Sequence, residues 1–406
     1  MQSIVAYRSG NLFKNIILTK HDLPAGYYYA GNFTNDCSSF QLEGLQNCED
    51  AAFWDVYDRQ RGHADRHLIL SCDPGRKAWN TVMGPLRKPE PHGGLWLYTE
   101  SDILPQRIVL ANYPQGHDFH PLGLDIWPSH NGHGSYLYVV NHARQRTVIE
   151  QFLLTPSQPT VARHIRTISS PLFLSPNSVA LTSPDSFYVS NDHLITRRLP
   201  IVGHILPLVE SILGLPLGFV LHVTLSHSAV KSIIPVALFI PFPNGLALSP
   251  NGTTLAIAST SLAQVRLYAR DPATNTITRR AHTIDVPFAA DNVRFADDGT
   301  LLVAGHPHFP TLTKLAANKT EHAPSWAVAI PFLPDTRVEL AREFDLDAPI
   351  SMNRLVAGVA GMKTVFQSDG SGFSSASTAL RDDKTGALYV TGLYAEEGFV
   401  VCHPRA

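Results

Sequence analysis

Five short stretches of this chain each set a side-chain oxygen or a polar group beside an apolar segment. They are Cys48-Glu49-Asp50, Pro176-Asn177-Ser178, Pro243-Asn244-Gly245, Ala290-Asp291-Asn292 and, less purely, His120-Pro121-Leu122-Gly123. Glu49, Asn177, Asn244, Asp291 and Asn292 are hard oxygen donors, two carboxylates and three amides. Five oxygens carrying two negative charges suit one calcium ion. The five lie scattered over about 240 residues, so a repeated architecture must gather them. Taken singly each has a plainer reading: Asn-Gly is ordinarily a turn, and Asp291-Asn292 alone would cap or turn the chain. The metal expectation rests on the set.

The elements that could position them are short strands. Thirty prolines and 27 glycines punctuate 406 residues, the look of many strands with tight connections. Similar units recur. Leu122-Gly123-Leu124-Asp125-Ile126 leads to Tyr136–His142, Asn177–Leu181 to Ser186–His193, Asn244–Leu248 to Thr254–Ala258, Asn292–Phe295 to Thr300–His306, and Ser377–Leu380 to Ala387–Gly392. Glu49-Asp50 opens a sixth unit, leading to His67–Ser71. Their starts are roughly 45 to 90 residues apart, which brackets a propeller blade with insertions. Opening residues of the first strand in each blade sit at one end of the axis, the geometry that could gather the donors. The expected fold is all-β, a six-bladed propeller over residues 37–406 preceded by an extension over 1–36.

Pro200 to Phe239 breaks the pattern. Leu206, Leu208, Val209, Ile212 and Leu213 have helical spacing, while Pro207 and Pro216 make the segment too broken to span a bilayer. It reads as an apolar helical insertion over the channel mouth, about 200–239, and a surface for peripheral membrane contact.

Bulk composition excludes some classes. A formal net charge of −2 gives no support for nucleic-acid binding. No Gly-rich phosphate loop, Gly-x-Ser-x-Gly elbow or Cys-x-x-Cys pair occurs, which argues against a nucleotide site or a serine nucleophile. Cys37, Cys48, Cys72 and Cys402 allow three pairings. Cys37 with Cys402 would tie the two ends of the propeller, and Cys48 with Cys72 would be local. Sequons at Asn32, Asn251 and Asn318 fit a secretory or extracellular route. Residues 1–20 contain no clean signal peptide.

With these motifs assembled, the chain resembles the paraoxonase/arylesterase family, more closely its fungal branch. The resemblance is carried in order by Leu45-Gln46-Asn47-Cys48-Glu49-Asp50, Val139-Val140-Asn141-His142, Ser190-Asn191-Asp192-His193, Phe242-Pro243-Asn244-Gly245, Asp291-Asn292-Val293 and Gly305-His306-Pro307. It covers about residues 35 to 403. It implies a six-bladed propeller closed by Cys37–Cys402, and a catalytic Ca2+ held by Glu49, Asn177, Asn244, Asp291 and Asn292. It implies a second, structural calcium using Asp50 and the carbonyl of Leu124. In such a site a hard cation polarises a substrate carbonyl or phosphoryl bond.

Two positions depart from the family. Its lactonases carry a histidine pair thought to activate water; one matches His142, but the other matches Leu122, which cannot accept a proton. His120, two residues away, is the nearest surrogate. The structural calcium uses an aspartate where this chain has Ser178, which removes a carboxylate. His142, His120, His193 and His306 are the candidate catalytic histidines, each with the plainer reading of a core or turn-locking histidine.

The expected function is calcium-dependent hydrolysis of a small hydrophobic ester or lactone. The alternative is a non-hydrolytic enzyme on the same scaffold, assisting dehydration, cyclisation or cycloaddition in natural-product biosynthesis, which the missing water-activating partner favours. A third reading is a binding protein without turnover.

Overall fold

The computed structural model describes residues 37–58, 64–90, 92–226, 229–279, 281–331 and 361–404. Six sheets, each built on an antiparallel meander of consecutive strands, follow one another along the chain. The six innermost strands are Cys48–Tyr57, Pro121–Ile126, Pro176–Ser183, Pro243–Leu248, Ala289–Phe295 and Ala376–Arg381. This is a six-bladed propeller, and five of these strands begin within two residues of a predicted donor stretch.

Blade packing explains why the strands read as continuous apolar runs and not as clean alternation. Successive residues on a strand face opposite sides, and here each side meets a different neighbouring blade. Phe187 packs in the cluster between the second and third blades, and Tyr188 in the cluster between the third and fourth. Leu301 and Leu302 divide in the same way between the interfaces with the fourth and sixth blades. Each of the six blade interfaces has such a core.

The ring closes where Cys37–Ser39 pairs with Phe399–Cys402 as the outer strand of the sixth blade. Cys37 is bonded to Cys402, tying together the two ends of the propeller, and Cys48 to Cys72 across the first hairpin. Two such bridges belong to an oxidising compartment and fit a secreted or extracellular protein. No described helix is long and apolar enough to cross a membrane. The sequon residues Asn251 and Asn318 are exposed; Asn32 and the 1–36 extension lie outside the described residues.

The helical insertion is shorter than expected. Among the described residues of this segment only Val202–His204 and Leu206–Ile212 are helical, while Gly218–Leu225 and Val230–Ile240 are the two outer strands of the third blade. Val, Ile, Phe and Thr make up ten of the nineteen residues in the latter stretches, and their β preference prevails over the apolar continuity with the helix. The helix is held at its C-terminal half. Glu210 accepts the Leu194 and Ile195 amides, Ser211 Oγ meets His193 Nε2 at 2.7 Å, and Ser261 Oγ donates to the Ser211 carbonyl. A second helix, Phe309–Ala316, follows the fifth blade's second strand. Its pattern is too brief to stand out in sequence.

Candidate functional site

The site is built by one rule used in three blades. The residue opening a blade's first strand pairs with the residue at or just beyond the end of its second strand. Asn177 Nδ2 donates to Asp192 Oδ2 at 3.2 Å, Asn244 Nδ2 to Thr260 Oγ1 at 3.1 Å, and His306 Nε2 to Asp291 Oδ2 at 2.8 Å. A carboxylate can only accept, so Asp192 draws the Asn177 nitrogen toward itself and turns the amide oxygen away. The Asn292 amide is aimed likewise, its nitrogen donating to Glu49 Oε1 at 2.9 Å.

Every amide nitrogen in the set is thereby occupied, and the oxygens are not. Glu49 Oε2, Asn177 Oδ1, Asn244 Oδ1 and Asn292 Oδ1 are buried with no hydrogen-bond donor. Such orphaned oxygens cost free energy unless something positive meets them. Glu49 is 2% exposed. Burial first, and then the charges of Asp50 and Asp291, push its carboxyl well above the usual range. Four uncompensated oxygens beside two buried acids, Glu49 and Asp291, are what an oxygen-binding cation requires. The donor set fits calcium: hard oxygens, mixed charge, no sulfur or free imidazole.

Two glycines let the innermost strands come this close. A Cβ on Gly245 would lie 2.5 Å from Asn292 Cα, and one on Gly123 would lie 2.4 Å from the Asn177 carbonyl oxygen.

Above the donors is a cavity of about 450 Å³. Glu49, Asn177, Asn244 and Asp291 line it, as do Trp79, Val82, Met83 and Leu122 from the side of the first two blades. Leu208 from the first helix, Phe242, and Phe309 and Leu312 from the second helix complete an apolar wall. Such a chamber suits a small apolar ligand with one polar group directed at the floor.

The four candidate histidines have different surroundings. His142 lines the cavity but both ring nitrogens are engaged, Nδ1 with Thr81 Oγ1 at 2.7 Å and Nε2 with the Pro176 carbonyl at 2.8 Å. Burial pushes its pKa down to about 4. His120 also lines the cavity, clamped between Asp73 Oδ2 at 2.9 Å and the Pro89 carbonyl at 3.1 Å. His193 is fully buried, ties the helix through Ser211 and contributes nothing to the lining. His306 lines the cavity; its Nε2 is on Asp291 and its Nδ1 is buried without a partner. Of the four, His306 alone both lines the cavity and keeps an unengaged ring nitrogen.

Four residues the sequence did not single out belong to the site. Thr260 and Asp192 orient the amides, Thr81 holds His142, and Asp73 holds His120. Burial raises the Asp192 pKa, but His193, Ser175 and Asn177 outweigh it and hold the group below the usual value. Asp192 stood inside a quoted motif, and the rule pairing strand start with strand end would have found both it and Thr260.

Asp50 is also fully buried. Its Oδ1 accepts the Ala51 amide and Thr378 Oγ1, and its Oδ2 accepts the Leu124 amide at 3.0 Å and Arg294 Nη2 at 2.6 Å.

The family model described as Arylesterase matches residues 95–332. Serum paraoxonase/lactonase 3 of Oryctolagus cuniculus is 26% identical over 181 residues, covering 44% of this chain and 48% of that protein. Serum paraoxonase/arylesterase 2 of Gallus gallus is 29% identical over 174 residues, 43% of this chain and 45% of that protein. Serum paraoxonase/arylesterase 1 of Homo sapiens is 27% identical over 191 residues, 47% of this chain and 50% of that protein. The chain spans about half the length of these curated relatives in the matched regions.

Proposed function

Since this chain belongs to the arylesterase family, we propose that it hydrolyses a small hydrophobic ester or lactone with the help of one calcium ion. The observation that carries this reading is the set of four buried, donor-less oxygens on Glu49, Asn177, Asn244 and Asn292 below an apolar cavity. Glu49, Asn177, Asn244, Asp291 and Asn292 would hold the ion, which when bound would polarise the substrate's carbonyl and stabilise developing negative charge.

The chain's own residues supply the rest. Trp79, Phe242, Leu208 and Leu312 exclude water from the apolar part of the substrate. Asp192 and Thr260 fix the amides so that their oxygens, not their nitrogens, face the site. His306 orients Asp291 through Nε2 and leaves Nδ1 buried without a partner. His142 and His120 act as positioning groups, since their ring nitrogens are committed to Thr81, Pro176, Asp73 and Pro89.

A second reading is favoured by one observation: Leu122 occupies the cavity wall, and neither His142 nor His120 has an unengaged ring nitrogen. A site poor in water-activating groups suits dehydration or cyclisation of a carbonyl compound on the same scaffold.

Purified protein should be assayed on phenyl acetate and a panel of lactones, with calcium and with chelator. Turnover abolished by chelator and restored by calcium is the expected result. Tight calcium binding with no turnover on any ester or lactone would sink hydrolysis in favour of the second reading. Turnover indifferent to chelator would remove the ion from the reaction.

A further inference from the structure

We propose that the Arg294 guanidinium permanently occupies the position expected of a second, structural metal ion, so that the interior beside the site is cross-linked by the chain itself. The two atoms expected to hold that ion belong to Asp50 and Leu124. One nitrogen, Arg294 Nη2, lies 2.6 Å from Asp50 Oδ2 and 2.9 Å from the Leu124 carbonyl oxygen. A calcium ion would sit 2.3–2.6 Å from the same two oxygens. The nitrogen therefore stands where the ion would stand, and the two are mutually exclusive.

Local sequence explains how a basic residue arrives there. Asn292 and Arg294 are two apart on one strand, so their side chains share a side. Asn292 reaches Glu49 and Arg294 reaches the next residue, Asp50. The Arg294 side chain is only 11% exposed, and that of Asp50 is 0% exposed. Asp125 lies close enough to favour the guanidinium as well, its own oxygens taking the Ile126 and Leu181 amides. The joined residues come from three innermost strands, those of the first, second and fifth blades.

Ser178 is the complementary change. It stands where a third, anionic ligand is expected, and its hydroxyl instead accepts the Leu246 amide at 3.1 Å. One carboxylate fewer and one fixed cation more leave the pocket without the charge for a divalent ion. The joint between these three strands is then independent of metal, and chelation would strip an ion from the cavity floor without loosening that joint.

The test counts calcium ions per full-length chain by equilibrium dialysis and follows the thermal midpoint in calcium and in chelator. It compares wild type, Arg294→Met, and Arg294→Met combined with Ser178→Asp. The double variant is expected to bind one ion more than wild type, with a midpoint that is lowered in chelator and recovers in calcium. The wild-type midpoint should shift little between the two media compared with the double variant. Equal ion counts in wild type and double variant, or a wild-type count of two, would overturn the inference. Because the increment is what is read, a wild-type count of zero would remove the cavity-floor ion while leaving Arg294 to be decided by the difference. Should the methionine variants fail to fold, terbium titration of wild type and of Arg294→Lys decides. No more than one site in wild type, with or without a further site in Arg294→Lys, supports the inference, and a second site in wild type overturns it.

Discussion

Asn292 Nδ2 donates to Glu49 Oε1 at 2.9 Å across 243 residues of sequence, leaving Asn292 Oδ1 and Glu49 Oε2 buried and unmatched. Burial and two neighbouring acids disfavour the bare Glu49 anion, so a cation or a proton that meets those oxygens stabilises the pair. Glu49→Gln should therefore act with opposite signs in two media. With chelator it removes an uncompensated charge and raises the thermal midpoint. With calcium it weakens binding by roughly tenfold or more. Titration calorimetry and thermal melts check both, and an unchanged affinity would remove Glu49 from the ligand set.

Leu122 occupies the wall of the cavity that His142 also lines. Leu122→His restores a second imidazole to a site whose existing ones are committed. Lactonase turnover is expected to rise by roughly a hundredfold, the scale of a general base. A variant that folds, binds calcium as wild type does and gains nothing would show that proton transfer is not what limits this site.

His306 and Asp291 form a ligand and its support. His306→Gln leaves Asp291 without its partner and deletes the unengaged Nδ1. Calcium affinity or kcat should fall by roughly 10–100-fold. His193→Gln loosens a bond to the Leu206–Ile212 helix and should change KM more than kcat, because His193 does not reach the cavity. Equal effects of the two substitutions on kcat would refute this division of roles.

What could be read in the sequence was what one strand carries alone. Glu49, Asn177, Asn244, Asp291 and Asn292 each open or nearly open an innermost strand, so a turn signal before an apolar run locates them. Thr260 and Asp192 close a second strand and become meaningful only once that strand is folded back on the first. Arg294 carried no signal, because nothing local tells whether the third residue after Asp291 faces Asp50 or solvent. The sequence extends the expected helical insertion to 239 for a related reason. Strands buried on both sides lose their alternation, and Gly218–Leu225 then looks like a continuation of the apolar helix before it.

Away from the cavity, Glu150 is 0% exposed and accepts hydrogen bonds from His117, His164, Asn141 and Thr167. Burial alone would raise its pKa, but these donors prevail and hold it at about 2. The same bond raises the pKa of His117. A depressed acid contributes stability above its unfolded pKa that is lost as pH falls through the folded value. A raised histidine contributes stability below its unfolded pKa that is lost as pH rises through the folded value. The cluster therefore stabilises most between about pH 4.3 and 6.5. Urea midpoints should fall from pH 6 to pH 8 in wild type and fall less in His117→Gln. Glu150→Gln should cost roughly 3 kcal/mol at pH 6, and a loss under about 0.5 kcal/mol would make the network an onlooker.

The two disulfides should separate in their effects. Cys37–Cys402 closes a loop spanning 365 residues, and Cys48–Cys72 spans 24. Loop-closure entropy grows with length, so on the chain-entropy relation Cys402→Ser should cost roughly 6 kcal/mol and Cys72→Ser roughly 3.5. Only three residue pairs join Cys37–Ser39 to the sixth blade, so without its bridge that strand frays and the ring opens at one seam. The seam lies at the outer edge of its blade, while Cys48 adjoins Glu49. Cys402→Ser should therefore lower the melting temperature and leave calcium affinity unchanged, whereas Cys72→Ser should lower both. Measuring the two quantities on each variant checks the assignment, and a fall in affinity in Cys402→Ser would show that ring closure itself sets the geometry of the oxygen donors.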